Sequence, residues 1–169
     1  RRFGDFLSGR PRDSYVLSTK VGRLLKPVPE DQVPKLGFVD PLPFKLQYDY
    51  SYDGIMRSVD FSHARLGLNR IDILYVHDIG VATHGVEGNR PLWKQLETGG
   101  YKALRELRDA GVVKAIGLGV NEWPVLMDAF ALGDWDVFLL AGRYTLLEQT
   151  ALDPFMATCI RRGASVVIG

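Results

Sequence analysis

The clearest fold signal in the chain is the segment Arg70-Ile71-Asp72-Ile73-Leu74-Tyr75-Val76-His77-Asp78. It is apolar at nearly every position, whereas a half-solvated antiparallel strand would alternate, so it predicts a parallel strand covered on both faces. In folds built of βα units, the loops after the strand C-termini form the site. His77 is therefore a candidate catalytic residue. The alternative is a hydrogen-bonded histidine that caps a core strand.

Composition bounds the function. The chain has 169 residues, 46% hydrophobic and 24% charged, which suits a globular domain with one substantial core. Its formal net charge is +1, with no basic stripe and no run of like charges, so we expect no nucleic acid and no membrane as a partner. We see no signal peptide or membrane span and expect a cytoplasmic protein. The single cysteine, Cys159, excludes an internal disulfide and is expected to pack in the core.

Strands and helices alternate along the chain outside two long connections. After a first short helix that ends near Gly9, five strands alternate with four helices, each helix ended by a glycine or capped at its start. The proline-rich stretch 21–50 is predicted to be a lid-like loop, or else a disordered insertion, and a second long loop follows His77. The other predicted strands are 15–19, 113–120, 137–140 and 165–168, and the helices lie between 51 and 67, 101 and 110, 124 and 132, and 153 and 163.

This alternation predicts an α/β fold of right-handed parallel units, either an open doubly wound sheet or part of a (β/α)8 TIM barrel. Polar residues stand at the C-terminal ends of four consecutive strands: Lys20, His77, Asn121 and Arg143. In a barrel all four would surround one mouth, whereas an open sheet would spread them along an edge. We therefore favour the barrel, to which residues 1–169 would contribute about five strands and four helices. The domain would be truncated at both ends.

The glycines in the strand at 113–120 are a weak sign of a dinucleotide-binding turn. Gly117 and Gly119 lie inside the strand, and Glu122 stands where a third glycine would be required. They therefore do not favour an open Rossmann sheet.

Three blocks carry a family resemblance. Leu-Ser-Thr-Lys-Val-Gly at 17–22, Arg-Leu-Gly-Leu-Asn-Arg-Ile-Asp-Ile-Leu-Tyr-Val-His-Asp at 65–78, and Lys-Ala-Ile-Gly-Leu-Gly-Val-Asn-Glu-Trp at 114–123 together resemble the aldo-keto reductases. The resemblance covers essentially the whole chain. Within that family, the segments 48–54, 76–80 and 139–148 are similar to the sugar-oxidising branch, the D-threo-aldose 1-dehydrogenases and L-fucose dehydrogenases.

The resemblance implies hydride transfer between NAD or NADP and a small-molecule sugar or carbonyl, interconverting an aldose and its lactone, with no metal. Lys20 and His77 match the family lysine and histidine that assist a catalytic tyrosine. A lysine ammonium lowers the pKa of a nearby phenol, and a histidine can orient the substrate oxygen. Asn121, with Glu122 beside it, matches the position that binds the nicotinamide carboxamide, although Glu122 departs from the usual amide.

The resemblance also implies parts that no residue here matches. The family's tyrosine and its aspartate partner would precede Arg1, and the loop for the adenosine phosphate would follow Gly169. Where many members carry a glutamine, this chain has Ala141, which removes one expected carboxamide contact.

Other interpretations stay open. The protein could be a metal-dependent barrel hydrolase with His77 and Asp78 as ligands, or a binding subunit that keeps the fold without turnover. The sequence predicts no oligomeric state. The aromatic residues of the first long loop could form a wall of a sugar site or pack that loop onto the barrel; they are Phe38, Phe44, Tyr48, Tyr50 and Tyr52.

Overall fold

A computed structural model describes residues 2–37 and 39–169. Five parallel strands form one sheet, and two further strands form a separate antiparallel hairpin. In chain order the strands are β1 Ser18–Val21, β2 Arg23–Pro27, β3 Phe44–Tyr48, β4 Ile73–His77, β5 Ala115–Val120, β6 Val137–Leu140 and β7 Ser165–Ile168. The helices are α1 Arg2–Ser8, α2 Tyr52–Leu66, α3 Val81–Gln95, α4 Tyr101–Asp109, α5 Pro124–Ala129 and α6 Ala157–Arg162.

The order of strands in the parallel sheet is β1-β4-β5-β6-β7, so every strand pairs with the next parallel strand along the chain. An open doubly wound sheet reverses its strand order at a switch point, whereas a barrel adds each strand beside the last. The observed order is that of a barrel, as predicted.

The hydrophobic core lies between this sheet and the helices packed on it. β4 sits there as its sequence predicts, with Leu74 and Val76 fully buried. Cys159 is also buried, and burial raises the pKa of its thiol to about 11, which confirms its expected packing role. The largest fully buried side chains of the core include Ile55, Leu104, Leu126, Phe138 and Phe155.

Local signals located α2 correctly. The Ser51 side chain accepts a hydrogen bond from the backbone N–H of Gly54, and Gly67 ends the helix in the left-handed conformation with φ of 65°. The first predicted strand is displaced, because β1 spans Ser18–Val21 and Lys20 lies within it.

Both long connections contain structure that the sequence reasoning did not predict. Residues 21–50 were expected to be a loop, but Arg23–Pro27 and Phe44–Tyr48 pair as an antiparallel hairpin. Residues after His77 were also expected to be a loop, but α3 occupies 81–95 with a break at Gly85, where φ is 66°. Gly85 and Pro91 hide its helical pattern, since both are poor helix formers. None of the helices in 2–37 and 39–169 has the length and apolar character needed to cross a membrane.

Candidate active site

Lys20 and His77 lie on neighbouring strands at the same end of the sheet. The parallel register places Lys20 opposite Tyr75, so His77 stands two residues further along β4. Both side chains line one cavity of about 580 Å³, whose walls include Arg23, Leu25 and Leu46. An adjoining cleft of about 200 Å³ also contains both residues together with Asp78, Asn121 and Ala141. The structure thus brings these predicted residues to one place.

Gly119 on β5 leaves room for the Lys20 side chain. A Cβ atom at this position would lie 3.3 Å from Cε of Lys20 and 3.3 Å from Cβ of Tyr75. The lysine stem therefore runs across β4 towards β5 on the cavity side, above a residue without a side chain. This accounts for Gly119, one of the two glycines that the sequence reasoning could not assign.

His77 is held as a neutral imidazole. Burial, and then the positive charges of Arg23 and Lys20, lower its pKa to about 3. The carboxylate of Asp78 lies 3.3 Å from Nε2 of His77, but Arg23 donates a hydrogen bond of 3.1 Å to the same oxygen, Oδ2. Since Arg23 already compensates this carboxylate, Asp78 does not stabilise a second proton on the ring. A neutral ring can donate a hydrogen bond from one nitrogen and accept one at the other.

Tyr50 and His84 form a cluster at the main chain of His77. The Tyr50 hydroxyl donates to the main-chain carbonyl of His77 and lies 3.1 Å from Nε2 of His84, and the Tyr48 ring packs edge-on against His84 with centroids 4.5 Å apart. His84 lies in the stretch after His77 that was predicted to be a loop, and the sequence analysis did not identify this cluster. The only signal in the sequence was the density of aromatic residues near 48–52.

Two aromatic residues of the first connection have the packing role that was one of the two expectations. Tyr50 is fully buried, and the hydroxyl of Tyr52 donates to Glu106 on α4, so both pack the connection onto the fold. Phe38 lies outside the described residues.

Asn121 faces the cleft, while Glu122 is engaged elsewhere. Nδ2 of Asn121 donates a long hydrogen bond of 3.4 Å to the carbonyl of Ala141, and Arg143 donates from Nε to the Asn121 carbonyl at 2.8 Å. Oε1 of Glu122 accepts from the backbone N–H of Ala82, at the start of α3, at 2.8 Å. Asn121 is therefore near Lys20 and His77, as predicted, and the Glu122 carboxylate holds the turn that begins α3.

No group of three or more His, Cys, Asp or Glu side chains that could hold a metal ion occurs among residues 2–37 and 39–169.

Two curated relatives span the whole chain. A pyridoxal 4-dehydrogenase of Microbacterium luteolum is 46% identical over 175 residues, 98% of this chain and 51% of that protein. A D-threo-aldose 1-dehydrogenase of a Pseudomonas species is 38% identical over 174 residues, 99% of this chain and 49% of that protein. The chain thus spans about half the length of the curated relatives it matches.

Solved structures agree on the fold. A glycerol dehydrogenase from Gluconobacter oxydans superimposes with a TM-score of 0.68 at 19% identity, over 98% of this chain and 43% of that one. An aldo/keto reductase from Klebsiella pneumoniae in complex with NADP and acetate gives a TM-score of 0.63 at 16% identity, over 97% and 45% of the two chains. The likeness confirms that the five parallel strands are part of a barrel.

The family follows from a match over nearly the full length. The sequence model described as "Aldo/keto reductase family" matches residues 2–167, in agreement with the resemblance of the three sequence blocks. This chain therefore belongs to the aldo/keto reductase family.

Proposed function

We propose that this chain belongs to an NAD(P)-dependent dehydrogenase that oxidises the aldehyde-level carbon of a small hydroxylated aldehyde, such as a fucose-like aldose, to the lactone. The observation that carries the proposal is the shared cavity of Lys20 and His77, at the ends of adjacent strands in a family member's barrel. Residues 1–169 would then be one part of the catalytic barrel domain.

The substrate class rests on what the relatives are named for. An aldose and pyridoxal are both aldehydes with a hydroxyl group that can close on the carbonyl to a cyclic hemiacetal. Loss of a hydride from the hemiacetal carbon and of a proton from its hydroxyl yields a lactone. The site must therefore stabilise negative charge on one oxygen while a proton leaves it.

The two polar side chains suit that task. A neutral His77 can accept a hydrogen bond from the reacting hydroxyl and orient it without competing positive charge. The Lys20 ammonium favours the anionic form of an oxygen nearby, be it an alkoxide or the phenolate of the family's tyrosine. No tyrosine of this sequence stands in the matching family motif, so Lys20 and His77 are proposed as the residues that assist that tyrosine.

The described residues fit a nicotinamide group at the cleft. A nicotinamide cofactor supplies the hydride acceptor when it is bound. The Asn121 side chain offers both a donor and an acceptor to a carboxamide, and its single hydrogen bond within the described part of the chain is long. Asn121 is thus proposed to hold the carboxamide. Glu122 offers only acceptor oxygens, and its hydrogen bond to Ala82 supports a role in shaping the loop beside it.

The test is turnover by the full-length gene product with NAD or NADP and a panel of aldoses and pyridoxal. We expect Lys20→Met and His77→Gln each to lower kcat by about 10² to 10⁴, the usual worth of acid–base assistance. Lys102→Met, an exposed lysine on α4, is the matched control and should leave turnover unchanged.

Three results would contradict the proposal in different ways. Unchanged turnover in both site variants would remove Lys20 and His77 from the mechanism. Cofactor binding by the wild type without turnover of any aldehyde would favour a binding subunit. A stoichiometric divalent metal in active protein would favour the metal-dependent hydrolase.

A further inference from the structure

Arg23 is placed over the cavity by the unpredicted hairpin. Gly22 has a φ of 88°, a left-handed conformation that lets the chain turn from β1 directly into β2. The side chain of Arg23, the first residue of β2, lines the same cavity as Lys20 and His77 and is 32% exposed. Sequence reasoning gave Arg23 no role, since the stretch was expected to be a loop.

The guanidinium is anchored on one side only. Its Nη1 donates to Oδ2 of Asp78 at 3.1 Å. Its Nε and Nη2 make no hydrogen bond to any residue within 2–37 and 39–169. Because the guanidinium is a rigid planar fork, fixing one nitrogen also limits where the other two can point. The site therefore holds a partly pre-oriented cation with donors to spare.

The His77 ring and this cation are close. Nε2 of His77 and Nη1 of Arg23 both lie within 3.3 Å of one atom, Oδ2 of Asp78. A substrate oxygen held by His77 would therefore have other oxygens of the same small molecule within reach of the guanidinium.

The charges and walls of the cavity indicate what kind of group would bind. Lys20 and Arg23 contribute two positive charges and Asp78 one negative charge, while His77 is neutral. Apolar side chains face them from the hairpin and from β6, contributed by Leu25, Leu46 and Leu139. A ligand with several oxygens on one side and a carbon skeleton on the other fits this arrangement.

We propose that Arg23 is a specificity-determining residue that binds a second oxygen of the substrate, a hydroxyl or phenolate near the reacting carbon. This inference rests on the proposed function, because it assumes that the substrate is an oxygen-rich aldehyde. The proposal gives a role to the arginine that the hairpin places at the cavity and to the Asp78 carboxylate that orients it.

The experiment compares one aldose with a series of its deoxy analogues, each lacking a single hydroxyl, using the full-length gene product. For the wild type we expect kcat/KM to fall roughly 10- to 100-fold when the hydroxyl that Arg23 binds is missing, as for a hydrogen bond to a charged group. In Arg23→Met, kcat/KM for the parent aldose should fall to the value for that one analogue. The value of kcat/KM for the analogue should be nearly the same in Arg23→Met as in the wild type. Arg23→Lys should recover part of the preference, since it keeps the charge and loses the fork.

Lys26→Met is the matched control, because Lys26 is exposed on the same strand and does not line the cavity. It should behave as the wild type. Cofactor affinity should be unchanged in all three variants.

If Arg23→Met lowers kcat/KM by the same factor for the parent aldose and for every deoxy analogue, Arg23 acts through Asp78 and His77. If Arg23→Met lowers the affinity for the cofactor, Arg23 binds the cofactor. Either result overturns the proposal. If the wild type turns over no aldose, the proposed function fails, and calorimetric binding of the same sugars then tests Arg23 by itself. Binding of the parent aldose and its analogues with equal affinity by the wild type would overturn the inference.

Discussion

The hydroxyl of Tyr50 donates a hydrogen bond of 2.7 Å to the main-chain carbonyl of His77. Its hydrogen is thus committed to that carbonyl, so in the 3.1 Å contact with His84 the facing Nε2 must be the protonated nitrogen. Tyr50 follows the hairpin, and His84 lies in the first turn of α3. Two connections that the sequence reasoning left unstructured are thus tied to the end of the strand that carries His77.

Tyr50→Phe should lower kcat more than it raises KM, because it releases the backbone that carries His77 without changing any side chain in the cavity. It should also reduce the free energy of unfolding by about 1–3 kcal/mol, since a buried carbonyl and an imidazole N–H lose their partner. Urea denaturation and steady-state kinetics measure the two effects. Tyr52→Phe, which loses a surface hydrogen bond to Glu106, is the control; equal kinetics in the two variants would refute this support role.

Gly119→Ala should displace the side chain of Lys20 while leaving the fold intact. The added methyl would lie 3.3 Å from Cε of Lys20, so the lysine stem must shift by a few tenths of an ångström. We expect turnover to fall roughly tenfold or more, with a stability cost of about 1–3 kcal/mol for overpacking. Gly9→Ala, where no atom lies within 4 Å of the new methyl, should change neither quantity. Full activity of Gly119→Ala would show that the position of Lys20 is not critical.

His77 should stay neutral throughout the physiological range. Its pKa in the folded protein is lowered to about 3 from an ordinary value of 6.5, mainly by burial and then by Arg23 and Lys20. As the pH falls below 6.5, His77 is protonated in the unfolded chain before it is protonated in the folded protein. The free energy of unfolding therefore decreases as the pH falls from 6.5 to about 3. NMR titration of the ring should show no proton uptake near pH 6.5.

Arg23→Met should raise the pKa of His77, because it removes a positive charge and frees the Asp78 carboxylate beside the ring. Lys26→Met should leave the pKa of His77 unchanged. Titration of the wild-type ring near pH 6.5, or an unchanged titration in Arg23→Met, would contradict this account of the site's charge.

Asp72 stabilises the opposite end of the sheet. Burial alone would raise its pKa, but hydrogen bonds from Arg12 and Leu17 and the charges of Arg12 and Lys114 outweigh it and hold the pKa below 3.8. This carboxylate therefore stabilises the fold above about pH 4, and that contribution is lost as the pH falls through its lowered value. Asp72→Asn should cost about 3–5 kcal/mol at neutral pH, because it leaves the partly buried guanidinium of Arg12 uncompensated.

Denaturation curves at several pH values test Asp72. The variant should lose stability less steeply than the wild type on acidification. Asp13→Asn is the control, since Asp13 is exposed and only pairs with Arg70 at the surface. A loss in Asp72→Asn no larger than in Asp13→Asn would contradict a structural role for the buried carboxylate.

The parallel strands and the polar residues near their C-terminal ends could be predicted from the amino-acid sequence alone. These features follow from local rules: an apolar run such as 73–76 must be covered on both faces, and a glycine such as Gly67 ends a helix wherever the chain folds. Since parallel strands of a barrel point the same way, the positions of Lys20, His77 and Asn121 along the chain already predicted a shared mouth.

The surroundings of those residues depend on the folded structure. β2 and β3 pair across residues distant in sequence, and α3 contains the poor helix formers Gly85, Gly88 and Pro91. The stability of these elements therefore comes from packing that no local pattern encodes. For the same reason no local pattern indicates that Arg23 contacts Asp78 or that Tyr50 contacts His77, since these residues are 55 and 27 positions apart. Hydrogen bonds over such separations depend on where the whole chain places both partners, and that placement exists only in the folded protein.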